Sequence, residues 1–147
     1  NYPLSGVQLV LISPAVFQVT VEGEVRQTEI RQAWAMTRLS SIIDGVLTDY
    51  SSTRDIVITS SSGKETVYDL FKASRDGDLS QDPYVRPGDT ITVNRVSRKV
   101  SIKGAVERPG SYELLKNETL KDLIDVYGGG FTDYADKKSK RNKCNIW

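Results

Sequence analysis

The sequence predicts an α+β protein made of two successive hairpin-and-helix bodies, and three observations carry that expectation. Val100-Ser101-Ile102-Lys103-Gly104-Ala105-Val106 alternates apolar and polar residues with the period of a half-buried strand. Val19-Thr20-Val21-Glu22-Gly23-Glu24-Val25 does the same at an offset of 81 positions. At that offset, and without gaps, Leu39, Ile42 and Ile43 fall on Leu120, Leu123 and Ile124, which share one helical face with Tyr127. A helix following a hairpin covers its apolar face, so each body is expected to be a mixed sheet with one main packed helix. A gapless match across hairpin and helix reads as an internal repeat.

In chain order, residues 6–12 hold the apolar run Val7, Leu9, Val10, Leu11 and Ile12, expected as a strand covered on both faces. Residues 1–18 thus form a leading strand and linker, residues 19–98 the first unit, and residues 99–147 the second. The first hairpin has Thr28 and Glu29 where the second has Pro109 and Gly110, so a longer or looser turn is expected there. Thr37 is expected to cap the first helix, and Trp34 takes the place of Leu115. Asp55-Ile56-Val57-Ile58-Thr59 is a strand, 60–63 a turn and 65–68 a return strand. Leu70 and Phe71 occupy the inner side of a short helix. Arg86-Pro87-Gly88-Asp89 is a type II turn, proline presetting φ and glycine supplying the positive φ, and Ile91 and Val93 form the closing strand. Arg108-Pro109-Gly110-Ser111 has the same signal. Thr119-Leu120-Lys121-Asp122 fits a capping box, and Gly128-Gly129-Gly130, standing where the first unit has Leu47-Thr48-Asp49, stops the second helix. The second unit ends before any closing Pro-Gly-Asp segment, so it is expected to be incomplete.

Composition narrows the function. With net charge +1, the chain has no global field for nucleic acid or an acidic membrane. The basic residues Lys137, Lys138, Lys140, Arg141 and Lys143 read as a solvated terminal tail. There is no histidine, which removes the commonest general base and metal ligand, and the single Cys144 allows neither an internal disulfide nor a metal cluster. No apolar run approaches the ~18 residues of a membrane span. The usual catalytic constellations are missing, so no enzyme, cofactor or metal is expected.

Two stretches mimic ligand sites. Asp76-Gly77-Asp78-Leu79-Ser80-Gln81-Asp82 has the oxygen spacing of a calcium loop but lacks the glycine and glutamate such a loop needs, and turn chemistry explains it better. Gly128, Gly129 and Gly130 follow a helix, whereas a phosphate cradle precedes one. Asp44 and Asp125, near the helix ends, are expected to find partner donors.

Tyr68-Asp69-Leu70-Phe71, the run from Gly77-Asp78-Leu79-Ser80 through Pro87-Gly88-Asp89-Thr90-Ile91-Thr92-Val93, and the run from Lys99-Val100 through Arg108-Pro109-Gly110-Ser111-Tyr112 together resemble tandem SLBB domains, the soluble ligand-binding β-grasp. The resemblance covers residues 19–136 and is nearest to the repeats of bacterial capsule and exopolysaccharide export proteins. It implies tandem β-grasp-like units in a non-enzymatic, periplasmic or outer-membrane-associated module. Its expected partners are polysaccharide and other subunits of an export complex, with possible homo-oligomers through an open sheet edge and membrane association only through other parts of the parent. The same superfamily includes cobalamin carriers, DNA-uptake proteins and a respiratory-complex subunit, so another soluble ligand and a pure protein-interaction role stay open. Sugars pack their CH faces on aromatic rings, which makes Trp34, Tyr112, Phe131 and Tyr134 the candidate ligand residues. Pro87, Gly88, Asp89, Pro109, Gly110, Gly128, Gly129 and Gly130 are expected to be structural turn residues.

Overall fold

A computed structural model describes residues 12–135 together with Gly6 and Val10. The expected strand at 6–12 lies mostly outside these residues; Val10 and Ile12 are in no strand and are exposed. The basic tail, Cys144, Ile146 and Trp147 also lie outside them.

The first unit runs β1 (Val16–Gly23), β2 (Glu29–Trp34), α1 (Leu39–Ile43), β3 (Ser51–Thr59), β4 (Glu65–Tyr68), α2 (Leu70–Asp76), a 3-10 turn at Leu79–Gln81 and β5 (Thr90–Arg95). Its five strands form one sheet in the order β2-β1-β5-β3-β4, with β1 and β5 parallel and every other pair antiparallel. This order, with a helix across one face, is a β-grasp, so the α+β expectation holds. Inward-facing residues of β1, β3 and β5 (Val19, Val21, Ile56, Ile58, Ile91, Val93) meet Leu39, Ile42 and Ile43 of α1 in one core. Burial of each such aliphatic side chain contributes about 1.5–3 kcal/mol.

The second unit has β6 (Lys99–Ile102) paired with β7 (Gly110–Glu113), then α3 (Leu120–Asp122) running into a π-helical turn, Leu123–Tyr127. Val100, Ile102, Val106, Leu114, Leu123 and Tyr127 form its smaller core. A lone two-stranded hairpin is marginal in water, and this one borrows Phe71 from α2 of the first unit. The adjacent Leu70 packs into the first core instead.

The two hairpins share one geometry. Val21 pairs with Glu29 and Ile102 with Gly110, so both registers and both connections agree at the 81-residue offset. Gly23 and Gly104 both have positive φ (93° and 104°), and the amide two residues on, Val25 or Val106, donates to the glycine carbonyl at 2.9 Å in each. Neither turn is the longer one, contrary to the expectation from Thr28 and Glu29. The connection is set at Gly23 and Gly104, not at Pro109-Gly110. Gly110 accordingly lacks positive φ and opens β7, so the type II turn expected at Arg108-Pro109-Gly110-Ser111 does not form. At Arg86-Pro87-Gly88-Asp89 the turn forms as expected: Gly88 has φ 78°, the Asp89 amide donates to Arg86 O at 3.1 Å, and the Asp89 carboxylate accepts the Arg86 amide at 2.8 Å.

The helices differ more. Thr119 and Asp122 form the capping box, whereas Thr37 does not cap α1. Its hydroxyl accepts from the Trp34 amide, and the Ser40 amide and hydroxyl donate instead to the distant Asp82 carboxylate, at 2.8 and 2.7 Å. After the helices the units slip by three residues: Val25 bridges Leu47, while Val106 bridges Phe131. Leu47 is therefore the counterpart of Phe131 rather than of Gly128. The glycines end the π turn as expected, with the Gly128 amide on Leu123 O at 2.8 Å and positive φ at Gly129 and Gly130. Gly128 O and Gly130 O also accept the Arg108 and Glu107 amides of the hairpin tip. Asp44 offers its backbone carbonyl to Arg31, and among the described residues neither its carboxylate nor that of Asp125 accepts a hydrogen bond.

Candidate functional site

Three places in the described molecule gather polar or aromatic groups: a buried charge cluster between the units, a shallow groove beside α2, and the uncovered face of the large sheet.

The charge cluster grows from the alternation of β3. Ser52, Arg54, Ile56 and Ile58 point inward, so the strand carries a guanidinium into the interior, where Arg54 is 3% exposed. An unpaired charge there would be prohibitive, and all five of its N–H groups are used. Nε and Nη2 donate to Asp69 (3.1 and 3.0 Å), Nη1 and Nη2 grip Glu118 in a bidentate pair (2.9 and 2.7 Å), and Nη1 also reaches the Glu113 carbonyl (2.9 Å). The cation also lies 5.0 Å from the ring centre of Tyr127 and 5.4 Å from that of Phe71. Asp69 belongs to the first unit; Glu113, Glu118 and Tyr127 belong to the second.

Electrostatics follow from this packing. Burial pushes the Glu118 carboxyl up, but the hydrogen bonds from Arg54, the Tyr127 hydroxyl and the Leu115 amide outweigh it and hold it at about 2. Burial and the Glu118 hydrogen bond push the Tyr127 hydroxyl up to about 12. Burial likewise raises the Glu113 carboxyl, opposed by the Ser52 hydroxyl at 2.6 Å. Arg54 loses to burial but gains more from Glu118 and Asp69, so its proton is held above the ordinary value. With every guanidinium N–H of Arg54 engaged, the arrangement can hold the two units together but offers a reactant no free donor on Arg54. Arg75 adds a second tie, donating to the Val126 and Tyr127 carbonyls.

The groove beside α2 encloses about 380 Å³ between Ser40, Thr53, Leu70, Ala73, Ser74 and Leu79. Its wall is mainly apolar, and its polar pair, Ser40 and Asp82, is already bonded internally. The Asp78 carboxylate takes the Ser80 amide and hydroxyl, so the Asp76–Asp82 stretch does work as turn and cap chemistry.

The outer sheet face is built by strand register. Ile30, Thr20, Thr90, Thr59 and Glu65 make one row across all five strands, and Glu22, Thr92, Val57 and Val67 make the next. Gln18 stands opposite Gln32, and Val16 opposite Trp34. No lysine or arginine occupies these positions. Ile30, Trp34 and Val67 are 65%, 44% and 58% exposed, so among the described residues no layer covers this face. It offers hydroxyls, primary amides, the carboxylates of Glu22 and Glu65 and one indole.

Of the aromatic candidates, Trp34 thus lies on the outer face at the end of β2. Tyr112 is partly buried, with its ring 5.8 Å from that of Tyr127 and its hydroxyl on Arg108 O. Phe131, half exposed, and Tyr134, 96% exposed, sit beyond the triple glycine of the second unit. The four belong to two different units and do not gather around one cavity. Sequence reasoning missed Arg54 and Glu118, and it read Asp69 and Asp82 only as parts of local stretches. The available signal was a cation at an inward position of β3, visible once the alternation is carried from Ile58 and Ile56 back to Arg54.

A family model described as SLBB domain, a soluble ligand-binding β-grasp, matches residues 99–143, which include the whole described second unit. No curated protein matches the chain. No helix among the described residues is long and apolar enough to cross a membrane.

Proposed function

We propose that this chain is a non-enzymatic pair of tandem SLBB units in a periplasmic or outer-membrane-associated polysaccharide export protein. In this role the outer sheet face holds saccharide weakly while the bolted units pack against neighbouring subunits. The observation that carries it is the family match on a hairpin whose register repeats that of β1 and β2 at the 81-residue offset. A face that carries threonines in its central rows, Gln18 and Gln32 beside them and Trp34 at the end of β2 suits a neutral glycan, because hydroxyls and amides exchange hydrogen bonds with sugar hydroxyls and the indole takes a CH face. Its border carboxylates, Glu22, Asp55 and Glu65, and its lack of cations disfavour polyanions.

Calorimetry and tryptophan fluorescence against a panel of neutral and acidic bacterial oligosaccharides test this role. The expected result is saturable binding of a neutral glycan that Trp34→Ala weakens at least tenfold. Absence of binding across the panel, or binding indifferent to both Trp34→Ala and Gln32→Ala, overturns the saccharide role. A second reading, a protein-docking module, is favoured by one observation: among the described residues β6 pairs only with β7, leaving its other edge free.

A further inference from the structure

In the first unit, the segment between the 3-10 turn and β5 acts as a strap. Pro83 O accepts the Leu39 amide at 2.9 Å, Tyr84 bridges Arg38, and the Val85 amide donates to Thr37 O at 3.0 Å. The Gly88 amide then reaches Gln18 O, and the Thr20 amide reaches Asp89 O. From there Thr90, Ile91, Thr92 and Val93 run parallel to residues 20–23 of β1. The strap buries Val85 to 2% and leaves Leu39 fully buried.

The counterparts of Gln18, Thr37, Arg38 and Leu39 at the 81-residue offset are Lys99, Glu118, Thr119 and Leu120. All four line one groove of about 230 Å³, with Val100 and Leu114 as its floor. Leu120, on the apolar face predicted for its helix, is 45% exposed where Leu39 is 0%. Ser101, the counterpart of Thr20, lies on the adjoining edge of β6. At Gly23 a Cβ would fall 2.3 Å from Val93 O, whereas at Gly104 nothing among the described residues lies within 4 Å. Strap positions and groove therefore coincide; Arg98 lines one side and donates to Glu118 O at 3.2 Å, and among the described residues no backbone segment occupies the groove.

We propose that this groove and the edge of β6 form an acceptor site for an extended polypeptide segment of strap chemistry, entering parallel to β6. The first unit defines that chemistry: a carboxylate followed by proline, an aliphatic side chain three positions after the carboxylate, a Pro-Gly-Asp turn, and a strand alternating threonine with isoleucine or valine. Main-chain pairing with β6 supplies affinity, and the aliphatic side chain seated over Leu120 supplies selectivity. The inference rests on the correspondence between the two units and is independent of saccharide binding.

A synthetic peptide spanning residues 82–95, titrated into the isotope-labelled full chain, tests the site by amide chemical shifts. Saturable shifts are expected at residues 100–104 and 119–120, with inter-strand contacts in parallel register. Gly104→Ala should weaken binding at least tenfold, because a methyl group there meets the incoming backbone but none of the described residues of the free protein. The peptide carrying Val85→Asp should bind at least tenfold more weakly. Absence of a saturable response, shifts centred on β1 and β3, or undiminished binding to Gly104→Ala overturns the proposal. So do shifts that grow with protein concentration alone, because a second copy would then be the occupant.

Discussion

Leu39 and Leu120 open equivalent helices, yet one is sealed and the other is nearly half exposed. Gly23 and Gly104 hold the same backbone twist, but among the described residues only Gly23 has another strand pressed against it. The first unit owns five strands, two helices and a twelve-residue aliphatic core. The second, as described, has two strands, six core residues and a loan from α2. The difference teaches that local geometry and stability separate: a hairpin and helix of the right pattern adopt their shape in both places, but among the described residues only the first is closed by a strap and a fifth strand. The other leans on a buried ion cluster. Such clusters contribute little net stability compared with apolar packing, yet breaking one costs much because the remaining charges stay buried.

The contrast can be attacked first at the latch. Arg54→Leu leaves Asp69 and Glu118 facing each other without the cation and should cost about 3–5 kcal/mol. Chemical denaturation followed by separate probes in each unit should show the second unit melting first. A single coincident transition with an unchanged midpoint would refute the dependence of one unit on the other.

Truncating the paired leucines is the next test. Leu39→Ala removes a fully buried side chain and should cost about 2–5 kcal/mol. Leu120→Ala should stay within about 0.5 kcal/mol, as for a surface site. Equal losses in urea titrations would mean that the two helices are sealed alike.

The glycine pair gives a smaller contrast. Gly104→Ala pays only for positive φ, about 1–2 kcal/mol. Gly23→Ala adds the clash with Val93 and should cost about 3 kcal/mol or more in the same titration.

The gentlest perturbation is pH. Glu118 is depressed to about 2 in the folded protein, so its contribution is fully present above the unfolded carboxylate value of about 4.3. As pH falls from there through about 2, the folded state must take up a proton that the unfolded chain already holds, and the contribution is lost. Midpoints measured between pH 5 and pH 2 should fall more steeply for the wild type than for Glu118→Gln. Tyr127 works at the other end: its raised value keeps the folded protein protonated while the unfolded chain ionises, so stability declines from about pH 10 towards 12.

What the sequence disclosed was local. Alternation around Gly23 and Gly104, the Thr119–Asp122 box, the Pro87-Gly88 turn and the glycine stop are each written within a few residues, and each appears where its chemistry demands. Pro109-Gly110 misled because the same two letters serve a turn in one context and a strand in another. Neighbouring pairings decided between them. The cap from Asp82 to Ser40 and the grip of Arg54 on Glu118 span 42 and 64 residues. No periodicity announces such pairs. Only the impropriety of a cation among inward aliphatics hints that a carboxylate must arrive from elsewhere.

Leu70 and Phe71 are consecutive, yet they plug into different cores. Helix α2 is thereby a keel common to both bodies, and any tilt of it is felt on both sides. A pull applied to the second unit would be carried into the five-stranded sheet instead of being absorbed by a pivot. Within a larger assembly, this pair would transmit load as a strut.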